Sequence, residues 1–282
     1  MTPKRGQITV FIIIGIAILV VVGALFYFRG RGAEFSEEAE TVSLEVSPVR
    51  LYISNCIKDK AETALFDNMI QGGAYELPTI VAHSGVFDIN QPGSLFVYYV
   101  HEDKPDIPYS VQYHESELSA NLEDNIKECA NEEAFAEQKF TFRSEEPVVK
   151  TTMGDEVVLF DISFPVEVIG PEGDVLGSMK QFNVEIDAKA RALIDSAQEY
   201  VELQKTDLTS VFVSDLIKIG IDNDVFVSSQ YIGNNDVVFF FTDDTTSRGD
   251  DDYLTLAFAV KYKEREPITF DPELATELGI SG

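Results

Sequence analysis

The longest unbroken apolar stretch comes first. From Ile8 to Phe28 the chain carries no charge, and only Thr9 and Tyr27 bear polar side chains. As a helix, about 21 residues span about 32 Å, close to the roughly 30 Å of a bilayer's hydrocarbon core. A helix in a water-soluble core normally keeps a polar stripe, and this segment has none. The pattern predicts one transmembrane helix over 7–28, behind a basic leader, 1–6. The polar, acidic stretch 29–46 reads as a linker.

Beyond the linker the periodicity changes repeatedly. Val49, Ile53, Cys56, Ile57, Ala64 and Leu65 fall on one face of a helix with Ser47 as N-cap and Pro48 at its first position, halted by Gly72-Gly73. A second helix is expected after Ser116, with Leu118, Leu122, Ile126 and Cys129 on one face. Residues 94–100 read as a strand behind the Pro92-Gly93 turn, and 139–142 as a short one. The clearest hairpin joins 156–168 to 175–186 through Gly170-Pro171-Glu172-Gly173-Asp174. Helices follow over 188–204 and 208–219, then a hairpin of 224–231 with 237–242, and a last strand over 253–263. Hairpins outnumber crossover units, so the expected class is α+β with antiparallel sheet. Two lobes are expected, 47–146 and 147–263, and a loosely attached tail over 264–282.

Charge adds a location. The chain has 49 Asp and Glu against 21 Lys and Arg, a net charge of −28. The first 33 residues hold Lys4, Arg5, Arg29 and Arg31 and no acid, so the remainder is more acidic still. Such a surface repels nucleic acid and anionic lipid heads, which excludes both as expected partners of that region. The basic leader before the apolar run favours a cytoplasmic N-terminus and an external body. Gly30-Arg31-Gly32 is a poor cleavage site of the ordinary secretory kind, so the segment is expected to remain as an anchor in the lipid bilayer.

Candidate chemistry is sparse. Cys56 and Cys129 are the only cysteines and lack zinc-ligand spacing. Each lies on the apolar face of an expected helix, so a disulfide between them is predicted on the oxidising side of the membrane. His83, His101 and His114 show no metal or catalytic spacing and are read as surface residues. Asp243, Asp244, Asp250, Asp251 and Asp252 flank one loop; five carboxylates suit Ca²⁺, although the spacing is not that of an EF-hand. No nucleophile elbow, phosphate loop or dinucleotide fingerprint is present, and no catalysis is expected.

Just ahead of the apolar run stand Lys4, Arg5, Gly6 and Gln7. This resembles the class III signal peptide of archaeal type IV pilins and related single-pass surface proteins. The resemblance implies a prepilin-type peptidase that cuts between Gly6 and Gln7, an external C-terminal domain, and partners among other surface or filament subunits. It covers about a tenth of the chain. Many pilins carry Glu at the fifth mature position; that position here is Phe11, which favours a minor or non-polymerising member. The expected function is a pilin-like surface protein acting by contact, in adhesion, in a minor filament role or in the envelope. The alternative is a membrane-tethered receptor for a small ligand or cation.

Overall fold

The computed structural model describes residues 46–83, 95–101, 109–233, 235–249 and 252–263. The expected transmembrane helix, Gly6-Gln7, the expected linker up to residue 45 and the expected tail lie outside these residues. Among the described residues no helix is long and apolar enough to cross a membrane. The class is α+β, as the periodicities indicate.

Helix α1, Ser47–Ile70, runs for about 36 Å and buries Val49, Ile53, Ile57, Ala61, Ala64 and Leu65, a stripe at steps of three and four. Its N-cap is Val46 and not Ser47; no side chain caps it, and the Val46 carbonyl accepts from Arg50 N–H at 3.0 Å. The stop is where the glycines place it. Gly72 and Gly73 take φ of +71° and +80°, and Gly73 N–H returns to the Asn68 carbonyl at 2.8 Å.

Helix α2, Val111–Asn125, begins earlier than expected. Ser110, not Ser116, caps it, accepting from Tyr113 N–H. The helix ends at Asn125, and a 3₁₀ turn, Ile126–Cys129, carries Cys129 into the core. Cys129 is bonded to Cys56 of α1, with Cα atoms 5.7 Å apart.

Next comes a long antiparallel meander. β3 (Thr141–Ser144) and β4 (Val148–Met153) pair with successive stretches of β5 (Val157–Ile169), whose full length also pairs with β6 (Val175–Asp187). Since β6 occupies one edge of β5 throughout, β3 and β4 share the other. Pro165 sits mid-β5 and has no N–H to give a ladder. The pairing slips by one residue there on the β6 side, and β3 breaks from β4 opposite it.

The outward N–H groups of β4 are answered by α2. Glu115, Ser119 and Glu123 accept from the backbone N–H of Met153 (2.8 Å), Thr151 (3.0 Å) and Val149 (2.8 Å). Four helical residues advance about 6.0 Å and two strand residues about 6.6–6.8 Å. Every fourth side chain of α2 therefore meets every second residue of β4, and the helix stands in for the missing strand.

A second sheet of five strands has the order β1-β2-β9-β8-β7, with β1 Val81–His83, β2 Leu95–Val100, β7 Phe226–Gly233, β8 Asp236–Ser247 and β9 Tyr253–Lys261. β2 and β9 run parallel, which corrects the expectation of hairpin pairing throughout. Turn signals report only neighbours in sequence, whereas parallel neighbours need a long crossover, here most of the domain. Helices α3 (Ala190–Gln204) and α4 (Val213–Asp222) enter between the sheets in sequence. α3 lays Tyr200 against Phe239 of β8, rings 4.8 Å apart.

One continuous core runs from Val46 to Tyr262 and draws on α1, both sheets, α3 and α4. This core takes residues from both sides of the expected division near residue 147, and the described residues belong to one compact unit. A smaller cluster fills the other face of the five-stranded sheet. There Phe96 and Phe240, from strands on either side of β9, meet edge-on at 5.9 Å, and Ala257 is buried within the same cluster.

Candidate functional site

Gly72 packs closely against β2 and β9. A Cβ on it would lie 3.0 Å from the Ala257 carbonyl oxygen and 3.3 Å from Val97 Cβ. The last turns of α1 and the adjoining ends of β7, β8 and β9 line a cleft of about 620 Å³. Its walls include Phe66 and Asp67 of α1, Phe226 of β7, Thr242 and Asp244 of β8, and Tyr253 and Thr255 of β9. Arg248 is clamped over one end. Its Nε donates to Asp252 at 2.8 Å, its terminal nitrogen lies 3.5 Å from Asp67, and its guanidinium stacks over the Phe66 ring at 5.1 Å. Phe226 is 63% and Tyr253 40% exposed, so the cleft offers two aromatic surfaces beside three carboxylates and a neutralised arginine.

Of the five aspartates of the expected calcium loop, Asp243, Asp244 and Asp252 lie among the described residues. Asp243 is turned inward, 1% exposed. It accepts from Thr245 N–H (3.0 Å) and hydroxyl (2.5 Å), the Thr246 hydroxyl (2.6 Å) and Lys189 N–H (3.1 Å). Burial alone would raise its pKa; these donors outweigh it and hold the carboxyl below its ordinary range. Asp244 and Asp252 face the cleft, while Asp250 and Asp251 lie outside the described residues. Among the described residues no three His, Cys, Asp or Glu side chains gather as a metal cage.

Behind Gly72 and Gly73 lies a polar centre that the periodicity did not reveal. His114, read from sequence as a surface residue, is fully buried, because α2 begins early enough to place it under the α1 terminus. The Tyr99 hydroxyl donates to the Gly72 carbonyl at 3.1 Å and sits 3.2 Å from His114 Nε2. With its own proton committed, that hydroxyl accepts from Nε2–H, which fixes the tautomer. Nδ1 faces Gly73, where an added Cβ would fall 1.6 Å from it. Burial pushes the His114 pKa down to about 3. Tyr99 also stacks on Phe258 (4.3 Å) and Tyr109 (5.3 Å), and the Tyr109 hydroxyl donates to Glu202 at 2.5 Å. This chain of contacts locks α1, β2, α2 and α3 together. Its chemistry is that of a neutral structural imidazole.

Cys56 and Cys129, expected to pair, do so, and neither is free. Among the described residues, the side chain that hydrogen-bonds His114 is that of Tyr99. No family model, curated protein or solved structure matches this chain.

Proposed function

We propose that this chain is a pilin-like, membrane-anchored protein of the cell surface whose acidic domain works by contact, in adhesion, in a minor filament role or as an envelope component. The Cys56–Cys129 disulfide carries the reading. Such bonds persist on the oxidising side of a membrane. This one ties down α1, the first described element after the apolar segment. The acidity of the body fits an external domain that meets neither nucleic acid nor anionic lipid heads. The leader Lys4-Arg5-Gly6-Gln7 supplies the processing site such a protein would present to a prepilin-type peptidase.

Intact mass measurement on protein from native membranes and from sheared surface material tests this. The expected chain starts at Gln7 and is enriched in the sheared fraction. A chain starting at Met1 or Thr2 and confined to membranes contradicts the pilin-like part of the proposal.

The cleft favours a second reading, a tethered receptor for a small organic cation. Exposed Phe226 and Tyr253 rings beside Asp67, Asp244 and Asp252 are the group types that hold a quaternary ammonium. Thermal melting of the protein with tetramethylammonium and with Ca²⁺ separates the readings. A saturable rise in Tm that Phe226→Ala removes supports the receptor, and unchanged melting counts against it.

A further inference from the structure

The two sheets treat their exposed edges differently. β4 has its outer N–H groups taken by three side chains of α2, as described above. β7 is the last strand of the five-stranded sheet, and among the described residues no strand pairs with its outer side. Edge strands are ordinarily guarded by charge, proline or cover, because an open ladder recruits other strands. β7 reads Phe-Val-Ser-Ser-Gln-Tyr-Ile-Gly, with neither charge nor proline, in a chain of net charge −28. Phe226 and Tyr231 are 63% and 65% exposed.

The sequence of that edge is chemically palindromic about Ser229. We infer that β7 pairs antiparallel with β7 of a second copy, across a two-fold axis through Ser229. In that register Phe226 lies opposite Ile232 of the other copy, Val227 opposite Tyr231, Ser228 opposite Gln230, and Ser229 opposite itself. Each pair then joins an aromatic to a β-branched residue, or polar to polar, the combinations that stabilise antiparallel neighbours. A symmetric interface must be self-complementary in this way. No charge is set opposite a like charge along the strand, so repulsion between copies comes only from the acidic bodies and is screened by salt.

Helix α4 extends the same surface. Its Gly220 abuts β7: a Cβ there would lie 2.8 Å from the Val225 carbonyl and 2.9 Å from the Val227 side chain. On the adjoining flank Val213, Ile217 and Ile221, at steps of four, are 50–75% exposed. An α-helix with one face in the core and a second apolar stripe beside an open strand is what a continued sheet would cover.

The inference names the partner within the surface-contact reading, yet it does not depend on how the N-terminus is processed. A chain that keeps Met1 would leave the test below unchanged, so the two can fail separately. The full chain in detergent is oxidised mildly after single Cys substitutions; the native cysteines are already paired and contribute no thiol. Opposed residues in such a pair have Cβ atoms about 4.5–5.5 Å apart. Ser229→Cys should give a covalent dimer, its yield rising several-fold from low to about 1 M salt as repulsion is screened. Phe226→Cys alone should stay monomeric, while an equal mixture of Phe226→Cys and Ile232→Cys chains should crosslink. Ser229→Lys, which sets two ammonium groups face to face, should abolish crosslinking of the mixture when added to both chains. The inference is overturned if Ser229→Cys crosslinks no better than exposed Glu185→Cys on β6, or if Phe226→Cys alone matches the mixture.

Discussion

Burial acts strongly on His114. In the unfolded chain its pKa is near 6.5, and in the fold it is about 3. The neutral form is favoured by folding, so the group has no effect above pH 6.5, where both states are neutral. As pH falls from 6.5 to 3 the unfolded state takes up the proton and the fold does not. Stability should therefore drop by up to about 1.4 kcal/mol per pH unit across that window from this residue, and the loss should level off below it. Denaturant melts from pH 7 to pH 3 check this, with His114→Leu flattening the slope. The neighbouring glycine is equally constrained. Gly73→Ala puts a methyl group into the His114 ring and onto a positive φ, and should cost at least about 2–3 kcal/mol. Sequence could not disclose this centre. The partner that shelters His114 is Tyr99, fifteen residues away on a different element, and neither residue stands in a telling local pattern.

At the scale of elements, the replacement of a strand by α2 makes a separate prediction. Glu123→Ala leaves the Val149 N–H without its acceptor, and Glu115→Ala does the same at Met153. Each should destabilise by about 1–3 kcal/mol, the cost of an orphaned donor. Hydrogen exchange should quicken at Val149 or Met153 respectively, while the β5–β6 ladder keeps its protection. Glu123→Gln, which retains an acceptor, should restore most of the loss. How far elements could be read from sequence follows the same logic of local against distant partners. The β5–β6 hairpin, the Gly72-Gly73 stop and the positions of α3 and β9 were legible because a turn or a period marks each one. β4 has no such mark: Val149, Thr151 and Met153 alternate correctly, but the strand is six residues long and its partner α2 precedes it by more than twenty. β1, three residues long, is too short to show a period. The parallel β2–β9 pair joins segments more than 150 residues apart, and no turn announces it. The cleft shares that fate, since its walls come from α1, β7, β8 and β9.

For the whole molecule, the disulfide connects stability to location. Cys56 and Cys129 are 73 residues apart, and both were read from sequence as facing one core. Closing a loop of that length restricts the unfolded chain by about 4 kcal/mol in the chain-entropy account. A Cys56→Ser, Cys129→Ser double variant should lose stability on that order, seen as a lower Tm against wild type. In a reducing compartment the native chain would lose the same support. The proposal that the domain faces outward is therefore tested by the state and reach of these two sulfurs on living cells. Intact cells are treated with a membrane-impermeant maleimide, before and after a membrane-impermeant phosphine reductant, and the labelled positions are read by peptide mass. The account predicts no label at Cys56 or Cys129 before reduction and label at Cys56, the partly exposed member of the pair, after it, without lysis. Label that appears only after lysis, and without any reductant, would place the domain inside the cell with free thiols and contradict the account.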